Sequence, residues 1–199
     1  MLRAGVRHLD AVVFTHQHKD HIAGLDDVRP FNYRSGNDMP IYATAAVEEA
    51  LRREFAYAFG AVRYPGAPLL ELRTISHQSP FEVCGRVLLQ PIEAMHYLMP
   101  VLGFRHGDFT YLTDAKTIAE TEFEKMRGTR VLVINALHHA PHISHFNLEE
   151  ALAVIARLQP ERAYLTHLSH HFGRHVDEQP RLPKGVYMAY DGLVLDDIA

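Results

Sequence analysis

The sequence predicts an α/β protein, and three observations support this prediction. Short runs rich in β-branched residues alternate with stretches whose apolar residues recur at helical spacing. Three of the predicted strands end in a threonine followed by a residue that can bind metal, which is typical of sites at strand ends. The 199 residues, 47% hydrophobic and 22% charged, suffice for a single globular domain spanning 1–199.

Nine strands are expected from the apolar and β-branched runs. They cover residues 11–14, 41–42, 69–75, 87–92, 109–112, 131–134, 163–165, 186–189 and 193–195. The tripeptide His106-Gly107-Asp108 predicts a hairpin turn between residues 103–105 and 109–111.

The strongest helix prediction covers residues 148–158. Asn147 can cap its first turn, Glu150 stands three residues later as in a capping box, and Pro160 ends the pattern. Its apolar residues share one face, so we expect this helix to pack against a sheet.

Two further helices are expected in the first third of the chain. One covers residues 45–59 after Thr44 as N-cap, and a shorter one covers residues 21–28 until Pro30 stops it. Their connections contain proline and small polar residues, which predicts loops at 29–40 and 65–68.

The segment 15–21 carries the densest chemistry in the chain. It has the pattern HxHxDH, directly after the apolar residues 11–14, and supplies four metal-competent side chains: His16, His18, Asp20 and His21. The alternating histidines can face the same way from an extended turn, while Asp20 and His21 start the following helix. A solvated, histidine-rich loop is the alternative, but the order of the motif and its preceding strand favour a metal site.

Further candidate ligands follow other predicted strands. Thr113 precedes Asp114 and Thr166 precedes His167, as Thr15 precedes His16, and His96 follows residues 87–92. Because rigid strand ends aim side chains into one crevice, a single site is favoured over several. The candidate ligands are His16, His18, Asp20, His21, His96, Asp114 and His167.

Composition limits the chemistry of this site. The chain has 15 histidines and a single cysteine, Cys84, so the ligands are imidazole and carboxylate groups, which suit zinc, manganese or iron. One cysteine cannot form an intrachain disulfide, which favours a reducing, cytoplasmic location. The net charge of −4 gives no indication of nucleic-acid binding, and neither a membrane span nor a signal peptide is predicted.

Seven ligands suit two divalent metal ions bridged by Asp114. Metals in such sites lie roughly 3.5–4 Å apart and share a water whose pKa they lower enough to give hydroxide at neutral pH. Two dications, two carboxylates and one hydroxide leave about one positive charge, which complements a phosphodiester monoanion.

The ligand order resembles that of the metallo-β-lactamase fold superfamily. Within it, the chain is most similar to the phosphodiesterases that hydrolyse phosphoribosyl cyclic phosphate. The segments that carry the resemblance are 15–21 with Gly24-Leu25, 111–114, 166–170 and, more weakly, Asp191-Gly192. The resemblance implies an αββα sandwich of two mixed sheets with helices outside.

The resemblance also implies residue roles. One metal is expected on His16, His18 and His96, the other on Asp20, His21 and His167, with Asp114 between them. Asp20 and Asp114 thus belong to the catalytic machinery. His145 matches a histidine beside the metals that does not bind them, and it is expected to protonate the leaving alkoxide or to stabilise charge on the phosphate. A capping or loop role is the alternative for His145.

The expected activity is metal-dependent hydrolysis of a small phosphodiester, cyclic ones included, by a bridging hydroxide. A thioesterase or lactonase of the same fold, and a metal-binding protein without turnover, are the alternatives. Arg29, in the predicted loop after the metal-bearing helix, is a candidate phosphate contact; a structural ion pair is its alternative. The remaining histidines are expected in supporting or surface roles.

The chain departs from its relatives at the beginning. The fold's first strands and a supporting aspartate are expected before the motif, yet only ten residues precede strand 11–14. The cyclic-phosphate enzymes also pair an N-terminal cysteine cluster with the histidine at the position of His170 to bind a structural zinc, and no such cluster exists here. We therefore expect that roughly 50–60 residues are missing, which predicts low stability, dimerisation over the exposed sheet edge, or weakened metal binding.

Overall fold

The computed structural model describes residues 1–60 and 64–196, which form two compact units. The first unit consists of Met1–Ser76 and Phe81–Val87, and the second of His77–Pro80 and the chain from Leu88 onward. None of the helices in the described ranges combines the length and the apolar character that crossing a bilayer requires.

The first unit contains a small parallel sheet and four short α-helices. Its elements are β1 (Val12–Val13), α1 (Lys19–Ile22), a 3₁₀ helix (Ala23–Val28), α2 (Arg29–Ser35), β2 (Met39–Ala43), α3 (Ala45–Glu54), α4 (Ala56–Phe59), β3 (Leu70–Thr74) and β4 (Phe81–Val83). The strands β1, β2 and β3 pair in that order and all run parallel.

The core of the first unit fixes the segment that carries the HxHxDH motif. Ile22, at the end of α1, is buried together with Ile41 of β2 and Leu51 of α3. Thr44 starts α3 by accepting a hydrogen bond from the Val47 N–H at 3.4 Å, as the capping prediction requires. The motif is therefore anchored to the apolar core of this unit through Ile22.

The second unit contains a larger mixed sheet. Its elements are β5 (Val87–His96), β6 (Met99–His106), β7 (Phe109–Leu112), β8 (Thr117–Ile118), α5 (Glu120–Met126), β9 (Val131–Asn135), α6 (Leu148–Leu158), β10 (Arg162–Thr166), α7 (His175–Glu178), a 3₁₀ helix (Gln179–Arg181) and β11 (Val186–Met188). Six strands run in the order β11-β10-β9-β7-β6-β5, and β8 pairs with β5.

Strand direction in this sheet positions the candidate ligands. The strands β7, β9 and β10 are parallel neighbours, with Leu112 opposite Ile134 and Ile134 opposite Leu165. Their carboxyl ends therefore lie at one edge of the sheet, where Asp114 and His167 follow β7 and β10. The pairs β6–β7 and β5–β6 are antiparallel, which brings the end of β5, His96, opposite Met99 at the start of β6.

Several predictions from the sequence are confirmed. The chain is an α/β protein with two sheets and flanking helices. Helix α6 has the predicted bounds and a full capping box: the Asn147 side chain accepts from the Glu150 N–H, and the Glu150 carboxylate accepts from the Asn147 N–H, both at 2.9 Å. The hairpin at His106–Asp108 joins β6 and β7 as expected.

Two predictions about helices were wrong. The predicted loop over 29–40 contains α2, because Pro30 stands in the first turn, where its missing N–H costs no hydrogen bond, and Gly36 ends the helix in the left-handed conformation. The single helix predicted over 45–59 is interrupted at Phe55, which leaves the helical conformation at φ −116° and ψ 39°.

The predicted strand over 193–195 was also wrong. The residues after β11 form a turn in which the Leu193 N–H bonds the Tyr190 carbonyl at 3.1 Å. Leu193 and Leu195 still pack against the buried side chains of Val133 and Tyr164. Their alternating apolar pattern therefore reflects packing against the sheet without strand pairing.

Candidate metal centre

The HxHxDH motif folds into a compact histidine cluster within the first unit. His16 is fully buried, and its ring lies 4.8 Å from the ring of His18 and 4.1 Å from that of His21, measured between centroids. The His21 Nε2 lies 3.5 Å from an Asp20 carboxylate oxygen. The structure thus brings the three imidazoles and the carboxylate of this short segment close together, with His16 nearer to His21 than to His18.

The local backbone explains this arrangement. His18 is extended, at φ −62° and ψ 147°, and its carbonyl accepts the N–H groups of His21 and Ile22 at 3.0 and 3.2 Å. Helix α1 thus begins directly after His18, so the first two histidines project from extended chain and the last two ligands from a helical turn. Thr15 Oγ1 lies 3.0 Å from His16 Nδ1 and fixes the orientation of that ring.

A second cluster surrounds Asp114 in the second unit. Asp114 is only 2% exposed, and one of its carboxylate oxygens lies 3.2 Å from His167 Nε2 and 3.6 Å from His145 Nδ1. The His145 ring lies 4.5 Å from that of His96 and 4.8 Å from that of His167. The structure therefore brings together the three ligands predicted in this unit and places His145 among them.

The ring of His96 is oriented for metal binding. Its Nδ1 lies 2.9 Å from the Asp114 carbonyl oxygen. Because a carbonyl only accepts hydrogen bonds, this Nδ1 carries the proton, and the lone pair is on Nε2, which can bind a cation. Asp114 thus has two roles: its backbone carbonyl orients His96, and its carboxylate is itself a candidate ligand.

Two of these ligands adopt unusual backbone conformations. Asp114 has φ +59° and His167 has φ +55°, in the left-handed region that side chains other than glycine rarely occupy. Each such conformation costs about 1–3 kcal/mol. The surrounding sheet therefore holds both residues in place, which is typical of residues positioned for function.

His145 is nearly buried, with 9% of its surface exposed. Burial lowers the pKa of His145 to about 4; the Asp114 carboxylate raises this pKa, and the neighbouring imidazoles of His167, His96 and His142 lower it. Its Nδ1 has no hydrogen-bond partner within residues 1–60 and 64–196, because 3.6 Å to Asp114 is too long for a hydrogen bond. The neutral imidazole is thus the form present at pH 7.

Three residues support the ligands in roles that were not predicted from the sequence. Thr113 Oγ1 donates a hydrogen bond to the Asp114 carboxylate at 2.6 Å, and Asn135 binds the backbone of Ala115. Thr15 supports His16 in a similar way. For Thr113 and Thr15, the threonine repeated before each ligand was a signal in the sequence. For Asn135, the signal was a polar residue at the end of the otherwise apolar strand β9.

The second cluster has donor chemistry suited to a divalent metal ion. His96, Asp114 and His145 each offer one atom that could bind a metal, and the three atoms lie within 4.8 Å of one another. His145, which the resemblance gives as a residue beside the metals, thus also stands at a distance suited to a ligand. Imidazole nitrogen and carboxylate oxygen suit zinc, manganese and iron, and the lone Cys84 lies in the first unit, on a turn beside the Asp10 carbonyl. The residues fit a metal.

The other candidate residues lie outside these clusters. Arg29, at the start of α2, donates to the carbonyls of Asp26 and Gly66 at 3.2 and 3.4 Å, and the residue is exposed. His170 is exposed and its ring lies 3.8 Å from that of His171. The structural-zinc role suggested for His170 stays a prediction.

The fold and these clusters define a class of protein. Residues 2–168 match the family described as the Beta-lactamase superfamily domain, and the chain belongs to that family. The matched region includes residues of both units. The resemblance inferred from the HxHxDH motif is thus confirmed.

A solved structure supports a narrower relationship. The crystal structure of a diphosphatase from the PhnP family is 34% identical to this chain, with a TM-score of 0.87, and the match covers 96% of this chain and 72% of that one. The metallo-β-lactamase fold protein YhfI from Bacillus subtilis has a TM-score of 0.70 at 21% identity, covering 93% and 76% of the two chains, and shows the shared fold alone.

A curated relative carries a different name. A protein of Porphyromonas gingivalis (strain ATCC BAA-308 / W83), called octanoyltransferase, is 37% identical over 193 residues, which is 96% of this chain. The chain spans only 39% of the length of that relative. The name therefore describes a protein much longer than the matched region.

Proposed function

We propose that this protein is a dinuclear metal-dependent hydrolase of phosphate esters, and that its substrate is a small phosphodiester. The observation that carries the proposal is the buried Asp114 carboxylate with His96, His145 and His167 around it. Membership of the metallo-β-lactamase family and the likeness to a PhnP-family diphosphatase support it.

The proposed ligands are those predicted from the motif order. His16, His18 and His96 are proposed for one ion, and Asp20, His21 and His167 for the other, with Asp114 bridging the two. When bound, two divalent ions would supply a water of lowered pKa and positive charge to offset the phosphate. Zinc and manganese suit these donors, and iron is a third choice.

The residues of the chain supply orientation and hydrogen bonding. Thr113 holds the Asp114 carboxylate, and the Asp114 carbonyl holds the ring of His96, so both ligands are positioned before any substrate arrives. Because its pKa of about 4 keeps the imidazole neutral at pH 7, His145 is proposed to donate a hydrogen bond to the phosphate or to the departing oxygen. In the overall reaction, water adds to phosphorus, one P–O ester bond breaks, and the alcohol leaves with a proton.

A diphosphate diester is the second candidate substrate, because the 34%-identical relative is a diphosphatase. Hydrolysis would then break a P–O–P bridge, and the second phosphate would need a cation. Arg29 is the proposed contact, since its two hydrogen bonds within residues 1–60 and 64–196 go to neutral carbonyls. Acyl esters are a third, less favoured substrate class. They are suggested by the name octanoyltransferase and by the thioesterase alternative within the same fold.

A substrate panel tests the proposal. The chain, reconstituted with Zn²⁺ or Mn²⁺ and checked for metal content, is assayed on bis(4-nitrophenyl) phosphate, a cyclic ribose phosphate, a diphosphate diester and an acyl thioester. We expect cleavage of the phosphate esters, and its loss in Asp114→Ala. Asp177→Ala, an exposed carboxylate of α7 bonded to Arg174, is the matched control and keeps full activity.

Two outcomes would contradict the proposal. Cleavage of the thioester with no attack on any phosphate ester would assign the chain to acyl chemistry. Full metal occupancy without hydrolysis of any of the four substrates would indicate a metal-binding protein without turnover.

A further inference from the structure

The hairpin between β5 and β6 presents two exposed apolar side chains directly after a candidate metal ligand. His96 ends β5 and pairs with Met99, so the loop consists of Tyr97 and Leu98 alone. Tyr97 is 54% exposed and Leu98 is 76% exposed. Apolar side chains are common on protein surfaces, but these two directly follow His96, a candidate metal ligand.

The backbone at Tyr97 is held in an unfavourable conformation. Its φ of +57° lies in the left-handed region, which glycine and asparagine adopt far more readily than tyrosine. A turn that needs such a conformation would fold more easily with one of those residues. The aromatic ring is present although the turn itself disfavours it, which indicates that the ring has another use.

A third exposed apolar side chain lies beside His145. Ile143 is 64% exposed and precedes His145 by two residues, so their Cα atoms lie within about 7 Å of each other. The Ser144 N–H bonds His142 Nδ1 at 3.3 Å, which fixes the turn that holds Ile143 outward. The loop therefore displays an aliphatic group next to the proposed hydrogen-bond donor.

These two segments meet at the second cluster. The rings of His96 and His145 lie 4.5 Å apart, and each is followed or preceded within two residues by an exposed apolar side chain. Tyr97, Leu98 and Ile143 are therefore exposed apolar residues within two positions of this pair along the chain; we call these three residues the apolar rim. All of them belong to the second unit.

We propose that the apolar rim binds the organic group of the substrate that leaves with the departing oxygen, and that this group is aromatic or otherwise apolar. The proposal rests on the function proposed above, because it places the leaving oxygen at His145. A group attached to that oxygen would extend past His145 to Ile143 and Tyr97. Contact with a planar ring or a hydrocarbon would remove apolar surface from water on both sides.

A binding measurement tests the rim without relying on turnover. Phenylphosphonate and methylphosphonate carry the same anionic head but differ in the apolar group, and both are titrated calorimetrically into the zinc-loaded chain. The wild type is expected to bind phenylphosphonate about tenfold more tightly than methylphosphonate. In the double variant Tyr97→Asn/Ile143→Ala this preference falls to twofold or less, while the affinity for methylphosphonate stays unchanged.

The variants are chosen so that folding is preserved. Asparagine tolerates the left-handed conformation at position 97 and removes only the ring. Tyr190→Asn/Val176→Ala is the matched control, because it removes an equally exposed tyrosine and aliphatic residue elsewhere in the same unit. This control keeps the preference for phenylphosphonate.

Kinetics then assign the side of the substrate. Bis(4-nitrophenyl) phosphate and methyl 4-nitrophenyl phosphate share the leaving group and differ in the group that stays. The rim variant is expected to raise KM about equally for both substrates and to change kcat by less than twofold. An effect on the bis-aryl substrate alone would place the rim at the retained group and would overturn the assignment.

The proposal and the function on which it rests fail in different ways. The proposal that the rim binds the apolar group is overturned if the wild type binds both phosphonates equally. It is also overturned if the rim variant keeps the preference for phenylphosphonate. A chain that prefers phenylphosphonate through the rim but hydrolyses no phosphate ester would contradict the proposed function and leave the rim as a binding site.

Discussion

Asn135 holds the backbone of Ala115 with both ends of its side-chain amide. Its Oδ1 accepts the Ala115 N–H at 2.8 Å, and its Nδ2 donates to the Ala115 carbonyl at 3.0 Å, with both residues fully buried. Ala115 directly follows Asp114, so this pair of hydrogen bonds holds the turn after β7 in the conformation that directs the carboxylate. A residue of strand β9 thus supports Asp114, the candidate ligand that follows the neighbouring strand β7.

Substitution Asn135→Ala is expected to destabilise the protein and to weaken metal binding. Two hydrogen bonds are lost and the buried Ala115 N–H is left without a partner, while the Ala115 carbonyl still accepts from the Phe146 N–H; the loss costs about 2–4 kcal/mol. Urea unfolding measures the loss, and a zinc titration followed by competition with a chelator measures the affinity. Asn37→Ala, an exposed amide, is the control; an Asn135 variant as stable as this control would contradict the role.

Acidification is expected to weaken α6 through Glu150. Burial raises the pKa of Glu150, but the hydrogen bonds from Lys116 and the Asn147 N–H, with the charge of Lys116, hold it below its ordinary value of 4.5. A carboxyl with a lowered pKa in the folded state stabilises above the ordinary pKa and loses that contribution as the pH falls below it. Wild-type stability should therefore drop more steeply below pH 4.5 than that of Glu150→Gln.

The slope of unfolding free energy against pH measures this difference. Glu149→Gln removes an exposed carboxylate from the same helical turn and is the control, with a slope like that of the wild type. A slope for Glu150→Gln that matches the wild type would show that the Lys116 and Asn147 contacts do not favour the charged form.

Two variants of His145 distinguish its roles. Since the neutral imidazole is the form expected at pH 7, His145→Gln retains a hydrogen-bond donor and should keep activity within about tenfold. His145→Ala should lose about a hundredfold or more in kcat for phosphodiester cleavage. If both variants lose activity equally, His145 transfers a proton rather than donating a hydrogen bond.

Arg29 is expected to matter for diphosphates alone. Its hydrogen bonds to the carbonyls of Asp26 and Gly66 leave its charge unpaired by any carboxylate in the described ranges. Arg29→Ala should raise KM for a diphosphate diester several-fold and leave that for a monophosphate diester unchanged. Arg174→Ala, which removes an exposed arginine of the second unit, is the control. An unchanged KM for the diphosphate diester in Arg29→Ala would show that Arg29 does not contact the substrate.

Local signals in the sequence predicted the elements that depend on neighbouring residues. Asn147 and Glu150 define the start of α6 by contacts three residues apart, so its bounds followed from the sequence. The helix predicted over 21–28 has no such signal: α1 begins earlier, at Lys19, without a side-chain cap, and residues 23–28 form a 3₁₀ helix. Pro30 was ambiguous, because proline both ends helices and occupies their first turn, and only packing decides between the two.

The remaining features depend on contacts between distant residues. The left-handed residues Asp114 and His167 follow the carboxyl ends of β7 and β10, which β9 joins in one parallel register, and no short pattern encodes that pairing. The amide pair of Asn135 with Ala115 joins residues twenty positions apart. The threonines before the ligands are a pattern in the sequence, but the hydrogen bond from Thr113 to the Asp114 carboxylate depends on the folded backbone.

Activity measured against metal content tests the central claim most directly. The rate of bis(4-nitrophenyl) phosphate hydrolysis is followed as Zn²⁺ or Mn²⁺ is added to the metal-free chain. We predict that the rate rises to a plateau at two equivalents of metal per chain, and that Asp114→Asn falls at least about a hundredfold below that plateau. A chain that binds metal yet cleaves no phosphodiester at any metal ratio would contradict the account.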